Sequence, residues 1–304
     1  MLRKRPLGST GLNVTEIGFG ALEIGRDWAP DVNADPSHLS CEQAGRVLNG
    51  LLDLGINFID TAPAYYRSEE FIGSTIAHRR DEYVLATKVG EHWEPSGSYY
   101  DYSREATLRF IDRSLERLRT DRIDLIQIHS ASMEVLERGE TLGALQEARD
   151  AGKVLHIGMT GGVAEGVRAL EIGGYETVQV PYNLLNLAAE ERLLALAREK
   201  KAGVILMRGL AGGKLTEKFE RLEKAEAREA IRGFVPFTPS GKAEELAGLA
   251  LCFVLSSPEV STVIAGSRRL EAVEANVRSV ETGLDAAVAE RLRAHARGLA
   301  VSVW

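Results

Sequence analysis

The sequence predicts an α/β protein, a (β/α)8 TIM barrel with an N-terminal β-hairpin, on three observations. Eight short apolar runs rich in β-branched residues are spread along the 304 residues, an amphipathic stretch follows each, and no Pro/Gly-rich linker divides the series. The runs are residues 16–20, 57–60, 83–88, 123–129, 154–158, 177–180, 203–207 and 262–265, each about the length of a buried strand. Ahead of them, residues 2–6 and 12–15 flank Gly8-Ser9-Thr10-Gly11, a hairpin signature. Residues 104–119 typify the helical stretches: Leu108, Ile111, Leu115 and Leu118 recur every three or four positions, and Ser103 stands where an N-cap belongs. The expectation is one barrel domain over residues 1–304.

An open dinucleotide-binding sheet fits less well. Its first turn needs Gly-x-Gly-x-x-Gly, but Gly18-Phe19-Gly20 is followed by Gly25, which is out of register, and by a dozen loop residues before any helix.

Composition narrows the function. A chain that is 44% hydrophobic and 27% charged can bury a large core, and a formal net charge of -7 with no block of like charge argues against nucleic acid or an anionic membrane as partner. Cys41 and Cys252 match no metal-ligand spacing and read as free thiols of a reducing compartment. The start, Met1-Leu2-Arg3-Lys4-Arg5-Pro6, has no apolar segment behind it, and no apolar run reaches about 18 residues. A cytoplasmic protein is expected, with oligomeric state left open.

Chemistry in such barrels sits at the C-terminal ends of the strands. There the second run ends in Asp60, the third in Lys88 and the fourth in His129, while Tyr65 and Tyr66 follow the second. Each has a plainer reading: Asp60 as a turn cap, Lys88 as a surface lysine, His129 as a hydrogen-bonded core histidine. Three such ends in succession point instead to one polar mouth. A tyrosine of pKa ~10 is a weak acid at neutral pH, and a cation beside it stabilises the phenolate and brings the pKa down. Lys88 can supply that cation, Asp60 can keep it charged, and His129 can donate a hydrogen bond to a substrate oxygen.

These residues carry a family resemblance. Asp60-Thr61-Ala62-Pro63-Ala64-Tyr65, then Ser68-Glu69-Glu70, Thr87-Lys88 and Asp124-Leu125-Ile126-Gln127-Ile128-His129, resemble the aldo-keto reductases, and the likeness runs over essentially the whole chain. The resemblance implies a catalytic tetrad of Asp60, Tyr65, Lys88 and His129. Spacing from Asp60 selects Tyr65 as the acid; Tyr66 replaces the family's usual glycine and is expected to line the pocket. NADPH (or NADP+) is the implied cofactor, with NADH as the alternative. Thr160, Gln179 and Asp60 would face its nicotinamide, with Gly20, Ala21 and Leu22 at the first strand end. Met207 stands where an aromatic commonly stacks on the ring, and a thioether can lie against that face.

Arg208-Gly209-Leu210-Ala211-Gly212 resembles the loop whose backbone amides hold the pyrophosphate, with Lys214 or Lys218 adding charge. Gly266, Ser267, Arg268 and Asn276 resemble the segment that takes the adenosine 2′-phosphate, which favours NADP over NAD. Gly161 and Ala275 depart from the family pattern.

Trp28, Tyr66 and Trp93 are the expected substrate wall, and residues 98–102 add aromatics nearby. His92 has no second ligand at metal spacing, so no metal is expected. Residues 301–304 would fold over the mouth or extend from it. The expected reaction is reduction of an aldehyde or ketone by hydride transfer. The alternatives are an aldose dehydrogenase working oxidatively with NAD(P)+, a nicotinamide-binding redox sensor, and a phosphate-site barrel isomerase.

Overall fold

The computed structural model describes residues 2–25, 39–94 and 97–299, so Trp28 and residues 301–304 lie outside the described residues. Two antiparallel strands, β1 (Lys4–Pro6) and β2 (Asn13–Thr15), form the expected hairpin. β3 (Ile17–Gly20), β4 (Phe58–Asp60) and β5 (Val84–Val89) begin a parallel sheet. A second hairpin, β6 (Glu91–Glu94) with β7 (Gly97–Tyr100), rises from the end of β5 where the sequence indicated only an aromatic loop. β8 (Ile123–Ile128), β9 (Val154–Thr160), β10 (Thr177–Pro181), β11 (Gly203–Met207) and β12 (Val260–Ile264) complete the sheet, and β12 pairs with β3 to close an eight-stranded barrel.

The last strand begins two residues earlier than the apolar run suggested, because Val260 and Ser261 already sit buried in the ladder. Helices follow the strands and cover the outside of the sheet. The one at Arg104–Leu118 starts as expected: the Ser103 hydroxyl accepts from the Ala106 amide at 3.3 Å. It buries Phe110, Ile111 and Leu118 against the barrel, with Leu108 and Leu115 partly buried beside them. Among the described residues no helix is long and apolar enough to cross a membrane.

Two apolar layers hold the barrel. One lies between strands and helices; the other fills the barrel's lower interior, where Phe58, Val84, Ala86, Leu125 and Ile205 meet Leu7 and Val14 from the first hairpin. That hairpin caps the N-terminal end closely enough that a Cβ on Gly8 would lie 2.2 Å from the Gly203 nitrogen. Full burial of a side chain such as Phe58 or Leu125 contributes roughly 1.5–3 kcal/mol. The lower interior is therefore packed with apolar side chains, and buried polar groups beside it, such as Thr15 and Asn57, are hydrogen-bonded to each other.

Candidate active site

Side chains alternate faces along a strand, so a residue two places after an inward apolar one also points inward, one layer higher. Asp60 follows Phe58, Lys88 follows Ala86, and Gln127 and then His129 follow Leu125, each by that step. Period-2 geometry thus turns an apolar floor into a polar ceiling at the C-terminal mouth.

At that ceiling the Lys88 ammonium donates to Asp60 Oδ2 at 2.6 Å and to the Thr61 carbonyl at 2.9 Å, with both members of the pair buried. Gln127 Nε2 donates to Asp60 Oδ1 at 3.1 Å, and Gln179 Nε2 reaches Oδ2 at 3.5 Å. Tyr65, on the 3-10 turn Pro63–Tyr65, holds its ring centroid 4.8 Å from Lys88 Nζ and 5.7 Å from that of His129, edge to face. The four residues singled out by strand-end spacing are brought together.

Their electrostatics partly correct the expectation. Desolvation pulls the Lys88 ammonium down, but Asp60 and Tyr65 outweigh it and its pKa stands above the usual lysine value, as a counter-charge should ensure. For Tyr65, burial pushes the phenol up. Lys88 pulls it back in the anticipated direction without overcoming burial, and the Asp60 and Glu91 carboxylates reinforce the rise. The phenol is accordingly neutral across the physiological range, with its pKa raised rather than lowered.

Three of the residues expected around nicotinamide stand on neighbouring strands. Thr160 ends β9, Gln179 pairs with it from β10, and Met207 ends β11, with Thr160 Oγ1 3.7 Å from the Met207 sulfur. Gln179 Oε1 is a buried acceptor with no hydrogen-bond partner. Gly20 ends β3 beside Asp60, and the Ala21 amide donates to the Asp60 carbonyl at 2.8 Å just before Leu22 opens a short helix.

In the loop after β11, Arg208 and Ala211 adopt left-handed backbone (φ 57° and 51°), as does Gly212 (φ 67°), and the Asn183 side chain clamps the Arg208 carbonyl at 2.9 Å. The amides of Ala211 and Gly213 bond within the loop, to Arg208 and Leu210. Gly209 and Leu210 complete the segment.

Farther out, Arg268 Nε donates to the Glu23 carbonyl at 3.0 Å, and the Ser267 hydroxyl accepts from the Arg269 amide at 3.1 Å. Desolvation pushes the Glu23 carboxyl up and the charges of Arg268 and Lys218 pull it down, so both cations face the same spot. Gly266 is needed there, since a Cβ would lie 2.7 Å from the Gly20 carbonyl oxygen. Asn276 lies half-buried on the following helix, Leu270–Val280.

Above the mouth Tyr66 stacks obliquely on Trp93, with centroids 4.5 Å apart. Tyr66, Arg67 and Arg268 line one cleft with Glu23 and Ile24. Among the described residues no group of three or more His, Cys, Asp or Glu could hold a metal.

A model of the aldo/keto reductase family matches residues 16–297. The chain belongs to the aldo/keto reductase family. It is therefore an oxidoreductase of a family that uses nicotinamide cofactors. It is 32% identical over 297 residues to L-galactose dehydrogenase of Arabidopsis thaliana, covering 91% of this chain and 87% of that one. It is 28% identical over 335 residues to the NADH-specific methylglyoxal reductase of Escherichia coli, covering 98% and 99%. Among solved structures, the holo form of aldo-keto reductase AKR11C1 from Bacillus halodurans superposes with a TM-score of 0.82 at 28% identity, covering 99% and 97% of the two chains.

Two groups in this family member's mouth escaped the reading of strand ends. Gln127 bonds to Asp60, and its place between Leu125 and His129 on the inward face was available to periodicity. Glu91 is buried, with Oε2 3.2 Å from His129 Nδ1, although the ring N–H is not aimed well enough for a hydrogen bond. Nothing in the sequence distinguishes it from a loop carboxylate.

Proposed function

We propose that residues 1–304 form one reductase domain that binds NADPH and reduces an aldehyde or ketone to the alcohol, with Tyr65 as general acid. The observation that carries this is the buried Asp60–Lys88 pair beneath the Tyr65 phenol and the His129 ring. Tyr65 gives its proton to the substrate oxygen, Lys88 stabilises the phenolate left behind, and Asp60 keeps Lys88 charged. His129 donates a hydrogen bond to the same oxygen and orients it. When bound, the reduced nicotinamide supplies the hydride.

The residues fit that cofactor. The unpartnered Gln179 Oε1 and the Thr160 hydroxyl offer an acceptor and a donor to a carboxamide, with Met207 against the ring face. Arg268 and Lys218 suit phosphate, with Ser267 and Asn276 close by. Tyr66 and Trp93 supply an aromatic wall for the substrate.

Oxidation of a sugar is the second reading, favoured by the similarity to L-galactose dehydrogenase. The deciding assay follows NADPH oxidation with aldehydes and ketones and NADP+ reduction with sugars, with NADH and NAD+ alongside. Faster carbonyl reduction with NADPH is expected, with a preference over NADH that disappears in Arg268→Ala. Faster sugar oxidation would favour the second reading, and a preference for NADH would overturn the cofactor assignment. Tight binding of NADPH without turnover would instead indicate a sensor.

A further inference from the structure

Glu91 opens β6 three residues beyond Lys88, and only 8% of its surface is exposed. A carboxylate that deep is costly unless a positive or proton-donating group faces it. The group facing it is the His129 ring, through Nδ1 at 3.2 Å. We infer that Glu91 is a positioning residue for carbonyl reduction: its charge keeps a proton on Nδ1 of His129 and favours the imidazolium, so that Nε2–H is available to the substrate oxygen. This rests on the proposed role of His129 as donor to that oxygen.

A neutral imidazole carries one N–H. With a carboxylate beside Nδ1 the favoured neutral tautomer places the proton there, which leaves Nε2 a lone pair that repels a carbonyl oxygen. Only the imidazolium donates from both nitrogens. Because the Nδ1–H is not in line with Oε2, the coupling is chiefly one of charge, which at this distance in a buried setting favours the protonated ring.

Among the described residues, the groups seen around His129 do not cancel that effect. Tyr65 is a neutral phenol whose pKa burial raises. The Tyr102 phenol, likewise raised by burial, donates to the His129 carbonyl at 2.7 Å. The Lys88 cation at the ceiling is paired with the Asp60 carboxylate. His92, next along β6, is turned away onto Phe110 and is itself held neutral, with its pKa pushed down to about 4 by burial and three arginines. Glu91 also reaches Tyr65, where its charge disfavours the phenolate and so helps hold the acid in its donating form.

The test reads protonation directly and then through kinetics. His129 is titrated by NMR in the wild-type protein and in Glu91→Gln, its resonance assigned by its loss in His129→Asn. The wild-type pKa is expected above the ordinary value of about 6.5, and the Glu91→Gln value lower by on the order of one to three units. In kcat/KM for carbonyl reduction the limb that falls with rising pH moves down by the same amount. Glu91→Gln then matches the wild type at pH below both values and is about tenfold or more slower at pH 8.

A wild-type His129 that titrates below 6.5 overturns the inference, even if the variant does not fold. An unmoved titration, or a uniform loss of rate at every pH, overturns it too and assigns Glu91 a packing role. Wild-type protein that reduces no carbonyl would instead defeat the proposed function, while the titration would still report on the Glu91–His129 coupling.

Discussion

At the ends of β4 and β5 the polar groups are buried and paired: Asp60 is 0% and Lys88 1% exposed, and Asp60 accepts from Lys88, Gln127 and Gln179. On the segments above, Tyr66 is 42%, Tyr99 38% and Tyr100 55% exposed, held mainly by ring contacts. The strand ends are over-determined by charge and hydrogen bonds, so their geometry admits few substitutes. The aromatic rim is held by weaker, less directional contacts and can vary with the substrate at small cost in stability. On the proposed function, chemistry and selectivity fall on parts of the barrel with different tolerance to change.

Lys88→Met should break the first region most severely. It leaves the Asp60 carboxylate buried without its cation, so unfolding free energy should drop by about 3–5 kcal/mol, read by urea titration. Adding Asp60→Asn should restore most of that stability and none of the turnover. Full recovery of turnover in the double variant would mean that the ion pair only holds the fold.

Tyr66→Gly tests the rim. Tyr66 sits at φ 54°, ψ -97°, backbone that an L-residue rarely adopts, so glycine relieves strain of roughly 1–3 kcal/mol. The substitution also forfeits the Trp93 contact, about 0.5–1.5 kcal/mol, and adds roughly 0.5–1 kcal/mol of chain entropy. These nearly cancel, and stability should stay within about 1 kcal/mol of wild type. KM for aromatic aldehydes should rise several-fold relative to short aliphatic ones. An equal change for both classes would remove Tyr66 from the substrate wall.

A further effect concerns pH and the base of the second hairpin. Burial, then Arg113, Arg117 and Arg109, push the His92 pKa down to about 4. Between pH 6.5 and 4 the unfolded chain therefore takes up a proton that the folded chain refuses, and stability falls as pH falls through that window. Compared with His92→Leu, the wild type should lose about 1–3 kcal/mol more between pH 7 and 4.5. Parallel loss in the two proteins would show that His92 titrates normally in the fold.

Much of this was legible from residue order. The eight strands could be read because buried parallel strands need continuous β-branched apolar runs, and Asp60, Lys88 and His129 because they interrupt those runs at one end. Gln127 could have been found by the same alternation. The second hairpin was hidden because Glu91, His92 and Trp93 carry no clean in-out pattern. Glu91 depends on that hairpin folding back over His129, a contact between residues 38 positions apart. The left-handed turn at Tyr66 is invisible where a glycine would have announced it. The direction of the Tyr65 shift was misjudged because it is a contest between burial and the Lys88 charge, and residue identity shows only the charge.

The most direct measurement is Tyr65→Phe, followed by single-turnover reduction of a good aldehyde substrate alongside NADPH affinity by fluorescence. Loss of the proton donor alone should lower the rate on the order of 10²–10⁴-fold and leave NADPH affinity nearly unchanged. A Tyr65→Phe enzyme that turns over at the wild-type rate would contradict the account.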